Sequence, residues 1–553
     1  MLMRYWPLSP RLLPRLSLQL DISHLILLSA LSFTLLYNPA FFRNTYTVYA
    51  GSPGGLLFVG SLGLFLFAVT VLLLSLLCCR FVTKPVLIGV ILGAAAARSY
   101  MNSYNVIIDT TMLTNIAKTD SHEVADLMSI QLVLQMLLFG VLPSLLIYKT
   151  RIRCSGFGRE IYQRLKLMGL AAVLILVSVV PFTSNYTSFF REQKILRYYA
   201  NPATFLYSSF SFISSALADT GPIERASIGL DAHIPAADTS RELIILVAGE
   251  AARADRFSLN GYTRETNPLL AKEDVITFTQ ATSCGTSTAY SLPCMFSLSD
   301  RRDFSLDEAN HKENLLDVLT HAGANVLWRD NNSDSKGVTV AIPFEDWRAP
   351  DTNPVCDIEC RDVGMLAGLP EYIASHDKGD IVIVMHQLGN HGPAYYKRYP
   401  AAFGKFAPVC ATNQLENCTD AEISNAYDNA ILYTDWFLTQ VIHFLQTYDD
   451  RFETAMYYMS DHGESLGENG LYLHGLPFML APDIQKHVAS VMWLGSSYRV
   501  DRKALQARAL EPVSHDNYFH TVLGLMEVET DIYKPDMDLI VHTKAAEFVT
   551  ASD

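Results

Sequence analysis

Residues 243–250 read LIILVAGE, six apolar residues followed by a glycine and a glutamate. Comparable apolar runs recur at 325–328, 381–385 (IVIVM), 455–459 and 488–494, separated by helix-like stretches and polar, glycine-containing loops. Continuous apolar strands that alternate with helices indicate a mainly parallel sheet covered on both faces. In such sheets the ligand lies beyond the carboxyl ends of the strands, so chemistry is expected directly after these runs.

Three of these runs end in side chains that can bind a metal. They are Glu250 after LIILVA, His386 and His391 in IVIVMHQLGNHGP, and Asp461, His462, Glu464 and His474 in AMYYMSDHGESLGENGLYLHG. A lone histidine or aspartate after a strand is usually a capping or loop residue. Three strands of one sheet that end this way favour a metal site instead, and carboxylate with imidazole suits zinc.

Residues 284–294, CGTSTAYSLPC, contain candidate nucleophiles. Two threonines and two serines follow a glycine in what resembles a loop that opens a helix. A hydroxyl needs a metal or a base to become reactive, and a helix N-terminus favours a bound phosphate. The same residues also suit a plain Ser/Thr-rich helix cap, so both interpretations remain open at this point.

The amino-terminal third has the composition of a membrane domain. Of 553 residues, 50% are hydrophobic and only 18% are charged, which excludes a disordered chain. Five apolar stretches of spanning length lie before residue 185, at about 22–42, 54–79, 85–101, 130–148 and 165–182. A buried core helix is the alternative for any one of them, but five in succession favour a five-helix membrane block.

The net charge of −14 and the lack of a basic tract argue against nucleic-acid binding.

Basic residues predict the orientation of this block. They cluster before the first stretch and between the fourth and fifth. In the loop after the third stretch, most of the charged residues are acidic. By the positive-inside rule the amino terminus is cytoplasmic, and everything after residue 185 lies outside the cytoplasm. We therefore expect a transmembrane domain at 1–185, a bridging segment at 186–236 and an outer domain at 237–553. Residues 189–213 mix basic and aromatic side chains and suit the membrane interface, although a solvent-covered helix is the alternative.

Six of the nine cysteines lie in the outer half, in close pairs. An even number of cysteines outside the cytoplasm predicts disulfides. A tetrathiolate zinc site would need a CxxC pair, which is absent. The simplest pairing is local: Cys284 with Cys294, Cys356 with Cys360, and Cys410 with Cys418.

The chain resembles the lipid A phosphoethanolamine transferases, a group that includes the mobile colistin-resistance enzymes. The resemblance lies in the five spans and in GEAARADRFSLNGYTRETNP, CGTSTAYSLPC, NNSDSKG, MHQLGNHGPAYYKRYP and SDHGESLGENGLYLHG. These motifs are long and extend over essentially the whole chain. The resemblance implies an α/β outer domain of the alkaline phosphatase/sulfatase superfamily, facing the periplasm from a Gram-negative inner membrane.

The resemblance also implies roles for individual residues. Thr288 matches the nucleophile, and Glu250, Thr288, Asp461 and His462 match the ligands of one tight zinc site. His391 and His474 match catalytic residues linked to a second zinc or to the substrate. The expected substrate contacts are Asn115, Thr119, Glu123, Thr286, Asn332, Ser333, Lys336, His386 and Glu464.

The implied reaction moves phosphoethanolamine from phosphatidylethanolamine to a phosphate of lipid A through a covalent threonine intermediate. Diacylglycerol would leave, the modified lipid A would bind polymyxins less well, and the enzyme would work as a monomer at the bilayer. One alternative is a sister transferase that modifies a core sugar or glycan, or that moves phosphoglycerol. A sulfatase would need a CxPxR or SxPxR motif, and Cys294 is followed by Met295 and Phe296. A catalytically inactive sensor would lack a metal ligand or the nucleophile.

Overall fold

The computed structural model describes residues 19–119, 124, 126–153, 156–218, 225–498 and 500–540. The chain divides into two compact units, one formed by 1–102 and 130–210 and the other by 103–129 and 211–553. This grouping differs from the predicted division in two respects. Residues 103–129 group with the second unit, although they lie between two apolar helices, and the first unit extends to residue 210.

The first unit contains helices long and apolar enough to cross a membrane. Four qualify singly: Gly55–Leu77, Thr83–Ser103, Ile130–Lys149 and Phe157–Arg191. A bent pair, Ile22–Leu36 and Pro39–Tyr49, meets at 55° and makes a fifth if the pair is one span. The predicted five stretches therefore correspond to four helices that qualify singly and to one bent pair.

The break in the first stretch has a local cause. Pro39 has no N–H for the helical ladder, so a new helix begins there. Asn38 bridges the gap, since its side-chain amide donates to Phe33 O at 2.9 Å and to Asn201 O at 2.6 Å. The predicted orientation rests partly on Arg4, Arg11 and Arg15, which lie outside the described residues.

Shorter elements complete the first unit. A two-stranded parallel sheet pairs Gln19–Asp21 with Arg151–Arg153. Helices Thr183–Arg191, Lys194–Tyr198 and Ala203–Ala218 cover most of the segment predicted to lie at the membrane interface. Tyr207 and Phe210 on the last of these are mostly exposed, as an interfacial helix would require, and that location remains a prediction.

A seven-stranded sheet forms the centre of the second unit. Its spatial order is Val275–Thr277, Ser490–Leu494, Glu453–Ser460, Glu242–Gly249, Ile381–His386, Asn325–Asp330 and Phe344–Asp346. The last five strands are parallel to one another. Ser490–Leu494 runs antiparallel to both of its neighbours, Val275–Thr277 and Glu453–Ser460. The mainly parallel sheet is confirmed, and all five apolar runs are strands. The strand at 490–494 is antiparallel because the chain returns from residue 460 through loops and not through a crossover helix.

Helices and apolar side chains cover both faces of the sheet. The α-helices that the structure describes in this unit include Thr110–Lys118, Thr288–Met295, Leu306–Asn310, Leu315–His321, Leu369–Ser375, Asp420–Gln446, Arg502–Arg508 and His515–Leu525. The longest, Asp420–Gln446, begins with a capping box between Thr419 and Glu422. Burial on both faces explains why the central strands are apolar throughout and not alternating.

Candidate active site

The central strands end together at one edge of the sheet. The register pairs Ala248 with both His386 and Met459, and Gly249 with Ser460. The residues that follow each strand therefore emerge side by side, and the N–H of Asp461 donates to Gly249 O at 2.9 Å. The expected location of the site, beyond the carboxyl ends, follows from this register.

Glu250, Asp461 and His462 form a compact buried cluster at this edge. One ligand atom from each lies within 4.8 Å of the other two. Nε2 of His462 is 3.4 Å from Glu250 Oε1 and 3.4 Å from Asp461 Oδ2. The other ring nitrogen, Nδ1, lies 2.8 Å from Gly463 O, which directs Nε2 toward the carboxylates.

Thr288 lies against this cluster at the start of the helix Thr288–Met295. Its hydroxyl donates to Glu250 Oε2 at 3.0 Å and lies 3.2 Å from His462 Nε2. The disulfide Cys284–Cys294 ties the preceding loop to the end of this helix. The hydroxyl therefore sits at a helix N-terminus with a carboxylate in reach, an arrangement that suits a nucleophile.

The cluster fits a metal ion. Among the described residues, Glu250 Oε1 and Asp461 Oδ2 are buried with no hydrogen-bond partner. Burial raises the pKa of Asp461, and burial with the adjacent His474 lowers the pKa of His462 to about 3. A neutral imidazole, two carboxylates and a hydroxyl form a donor set of the kind zinc takes in hydrolytic and transfer sites.

Two further histidines stand beside the cluster. The His474 ring lies 4.2 Å from the His462 ring and 6.0 Å from the His391 ring, measured between centroids. Nδ1 of His474 is 3.4 Å from Glu464 Oε2. Burial lowers the pKa of His474, but the Glu464 carboxylate outweighs it, and the pKa is raised overall.

His386 occupies a different environment. It is fully buried, and its Nδ1 lies 2.8 Å from Asp330 Oδ2. Burial lowers the pKa of His386, but the charge of Asp330 outweighs burial, so the pKa is raised overall. Asp330 was not singled out from the sequence, because its pairing with a residue 56 positions away depends on the packing of neighbouring strands.

The motif NNSDSKG lies directly beside the cluster. Asn332 donates its side-chain amide to Glu250 Oε2 at 2.8 Å and to Gln387 O at 2.9 Å. Lys336 donates its ammonium group to Ser333 O at 2.5 Å and to Lys118 O at 3.0 Å. Asn332 thus orients the carboxylate of Glu250, one of the candidate metal ligands.

The remaining predicted contacts surround the loop at 471–476. Thr286 donates its hydroxyl to Leu476 O at 2.6 Å. A Cβ at Gly475 would lie 3.4 Å from the Asn115 amide nitrogen, so Asn115 lies beside the residue that follows His474 in sequence. Thr119 donates its hydroxyl to Asn115 O at 2.8 Å. Glu123 lies outside the described residues.

A cavity of about 370 Å³ lies beside Asn332 and His391. Its lining includes His391, Asn332 and Ser333 together with the charged side chains of Lys397 and Arg398. The disulfide Cys356–Cys360 forms part of its wall, and the third disulfide, Cys410–Cys418, lies elsewhere in the same unit. The structure therefore contains all three of the local pairs expected from the sequence.

Comparisons with known proteins find relatives that match both parts of the chain. A family model described as phosphoethanolamine transferase EptA/EptB matches residues 66–217, and a sulfatase model matches 242–528. Phosphatidylethanolamine transferase Mcr-2 of Escherichia coli is 41% identical over 514 residues, 91% of this chain and 94% of the relative. Phosphoethanolamine transferase EptA of Escherichia coli K12 is 39% identical over 541 residues, 96% of this chain and 98% of that one. The integral membrane lipooligosaccharide phosphoethanolamine transferase A from Neisseria meningitidis superposes with a TM-score of 0.90 at 34% identity, covering 95% of this chain and 99% of that chain.

Proposed function

The chain belongs to the phosphoethanolamine transferase family, and on that premise we propose that it moves phosphoethanolamine from phosphatidylethanolamine to a phosphate of lipid A. The observation that supports this most directly is the Thr288 hydroxyl, 3.0 Å from Glu250 and 3.2 Å from His462 inside a buried acid–histidine cluster. A transfer through a covalent intermediate needs such a nucleophile to hold the group between the two substrates.

Both substrates of this reaction are membrane lipids. The apolar helices of the first unit would anchor the protein in the Gram-negative inner membrane, with the second unit in the periplasm. Donor and acceptor then reach the site by lateral diffusion and need no extraction from the bilayer. We expect the same setting for the three disulfides, which form in oxidising compartments.

Glu250, Thr288, Asp461 and His462 would hold zinc, with His391 and His474 as candidates for a second ion or for the substrate. Bound zinc supplies a lower pKa for the hydroxyl and compensates negative charge on the phosphoryl oxygens. The two unpartnered carboxylate oxygens of the cluster support this assignment.

The side chains provide the remaining steps. The Thr288 oxygen attacks the donor phosphorus while its proton passes to Glu250, to which it is already hydrogen-bonded. The bond from phosphorus to the glycerol oxygen breaks, and His474, whose pKa is raised by Glu464, gives that oxygen its proton. A phosphate oxygen of lipid A then attacks the phosphothreonine while the acceptor's proton passes to His474, and the leaving threonine oxygen takes back its proton from Glu250.

Mass spectrometry of lipid A tests the proposal. Expression in a Gram-negative host without its own transferase should add one phosphoethanolamine to lipid A and reduce polymyxin susceptibility. Thr288→Ala should abolish both effects, and Thr288→Ser should retain part of the activity. Unmodified lipid A alongside a modified core sugar or glycan would replace the acceptor assignment, and an active Thr288→Ala variant would refute the nucleophile.

A further inference from the structure

Arg398 connects three separate parts of the second unit. Its Nε donates to the backbone carbonyl of His391 at 2.6 Å, Nη2 donates to Asp126 Oδ2 at 2.5 Å, and Nη1 donates to Glu359 Oε1. The Arg398 side chain is only 3% exposed. Each of its three nitrogens therefore has an acceptor on a different segment of the chain.

A guanidinium is well suited to such a position. Its planar fork directs donors at fixed angles, and two carboxylates offset the cost of burying the charge. A lysine at the same place would bring one ammonium on a flexible stem, which cannot reach three acceptors in fixed directions. The arrangement thus depends on the shape of the arginine as well as on its charge.

The three acceptors surround the cavity beside the site. Asp126, Glu359 and His391 all line it, together with Asn332 and Ser333. Asp126 belongs to the segment 103–129 that also presents Asn115 and Thr119. His391 follows the central strand Ile381–His386 by five residues, and the N–H of His391 donates to Leu388 O at 3.3 Å.

We propose that Arg398 is a positioning residue that fixes the backbone of His391 relative to the segment 103–129 and the Cys356–Cys360 loop. This inference rests on the proposed function, in which His391 is a candidate contact for the substrate or for a second ion. Arg398 itself would not contact the reacting atoms. Its removal would displace the imidazole of His391, and displacements of about 1 Å at a reacting centre cost up to about 100-fold in rate.

Lys397 offers a matched control. It is the adjacent residue and its ammonium also pairs with Asp126, at 2.5 Å from Oδ1, but its side chain is 27% exposed. Lys397→Met removes a positive charge from Asp126 and leaves the bond between Arg398 and His391 in place. Arg398→Lys keeps the positive charge and loses the planar fork, so an effect of charge loss would appear in Lys397→Met and loss of positioning would appear in Arg398→Lys.

The first test measures backbone order without any substrate. Hydrogen–deuterium exchange of the full-length protein in detergent should be faster for the amides at 388–395 in Arg398→Lys than in the wild type. Lys397→Met should leave this segment unchanged. Equal exchange in Arg398→Lys and the wild type overturns the proposal, whatever the enzyme proves to transfer.

The second test asks whether Arg398 acts through His391. Diacylglycerol release from a fluorescent phosphatidylethanolamine in detergent micelles gives kcat and KM for Arg398→Lys, His391→Ala and the double variant. Arg398→Lys should lower kcat by about 10- to 100-fold and leave KM within about twofold. The same substitution in the His391→Ala background should change kcat by less than about twofold, because coupled residues are not additive.

The outcomes distinguish failure of the proposed function from failure of the proposed role of Arg398. No diacylglycerol release by the wild type refutes the proposed function, and the exchange result then decides the role of Arg398 alone. The same kcat loss in both backgrounds shows that Arg398 acts elsewhere and overturns the proposal. If Arg398→Lys shows no cooperative thermal unfolding, Glu359→Gln, which loosens one link of Arg398, replaces it in both tests with the same criteria.

Discussion

Asn332 donates to Oε2 of Glu250 at 2.8 Å, and the same oxygen accepts the hydrogen bond from Thr288 at 3.0 Å. One carboxylate oxygen therefore joins the proposed nucleophile to a residue of the NNSDSKG motif. The other oxygen, Oε1, faces His462 at 3.4 Å and has no hydrogen-bond partner among the described residues. Asn332 thus fixes which oxygen is directed at the threonine and which is left for a metal.

Asn332→Ala should consequently reduce kcat by about 10-fold, the size of effect seen when the partner of a metal-ligating carboxylate is lost. Asn332→Asp should reduce it further, because a second carboxylate would face Glu250 at hydrogen-bond distance. Steady-state turnover of a fluorescent phosphatidylethanolamine, with metal content measured on the same samples, checks both. Wild-type turnover in Asn332→Asp would show that the amide does not orient Glu250.

Removal of metal should destabilise the protein as well as inactivate it. Without a cation, Glu250 Oε1 and Asp461 Oδ2 are buried carboxylate oxygens with no hydrogen-bond partner among the described residues. A cation at 100-fold excess over its Kd stabilises the folded state by about 3 kcal/mol. Chelation should therefore lower Tm by at least about 5 °C, and zinc should restore it.

Asp461→Asn provides the control for this experiment. It removes one of the two charges and one ligand, so its Tm should respond little to chelator or zinc. A wild-type Tm that is independent of chelator, in a sample shown by elemental analysis to contain metal beforehand, would contradict the assignment of the cluster as a metal site.

The sequence predicts the centre of this site well because each element there follows from local pattern. Apolar runs mark the strands, the register of parallel strands brings their ends together, and Glu250, Asp461 and His462 come directly after two of them. Helix breaks and short strands are harder to predict from the sequence. Asn38 and Pro39 split an otherwise continuous apolar stretch, and the strands Val275–Thr277 and Phe344–Asp346 have three residues each.

The surrounding contacts could not be predicted because they join distant segments. Arg398 and Asp126 are 272 positions apart, and neither has a local pattern that indicates a partner. The pair Asp330–His386 likewise depends on two strands being neighbours. The grouping of residues 103–129 with the second unit is of the same kind, since hydropathy alone assigns these residues to a loop between spans.

The disulfide nearest Thr288 should influence catalysis more than the others. The disulfide Cys284–Cys294, whose cysteines are ten positions apart, encloses the threonine, and Phe304 belongs to the same buried cluster as the two cysteines. Replacing both cysteines by serine should lower the free energy of unfolding by about 2–4 kcal/mol. It should also lower kcat, because the loop that presents the hydroxyl is no longer held by the disulfide. The matched variant without Cys410 and Cys418 should lower Tm with less effect on kcat. Equal kcat values for the two variants would show that the bond at 284–294 serves stability alone.

The ion pairs of Asp126 should make stability depend on pH in a defined direction. Burial raises the pKa of Asp126, but Arg398 and Lys397 outweigh it and the pKa is lowered overall. A carboxyl whose pKa is lower in the folded state stabilises that state at every pH above its unfolded value, about 3.9, and loses this contribution as pH falls through the folded value.

Wild type should therefore exceed Asp126→Asn in Tm by a constant margin between pH 5 and pH 8, and the two curves should converge below about pH 4. Thermal unfolding of both proteins across this range measures the margin. A difference that instead grows as pH falls would mean that protonated Asp126 stabilises the fold, which is incompatible with its pairing to Arg398 and Lys397. High salt should leave most of the margin intact, since the Arg398 contact is buried and weakly screened.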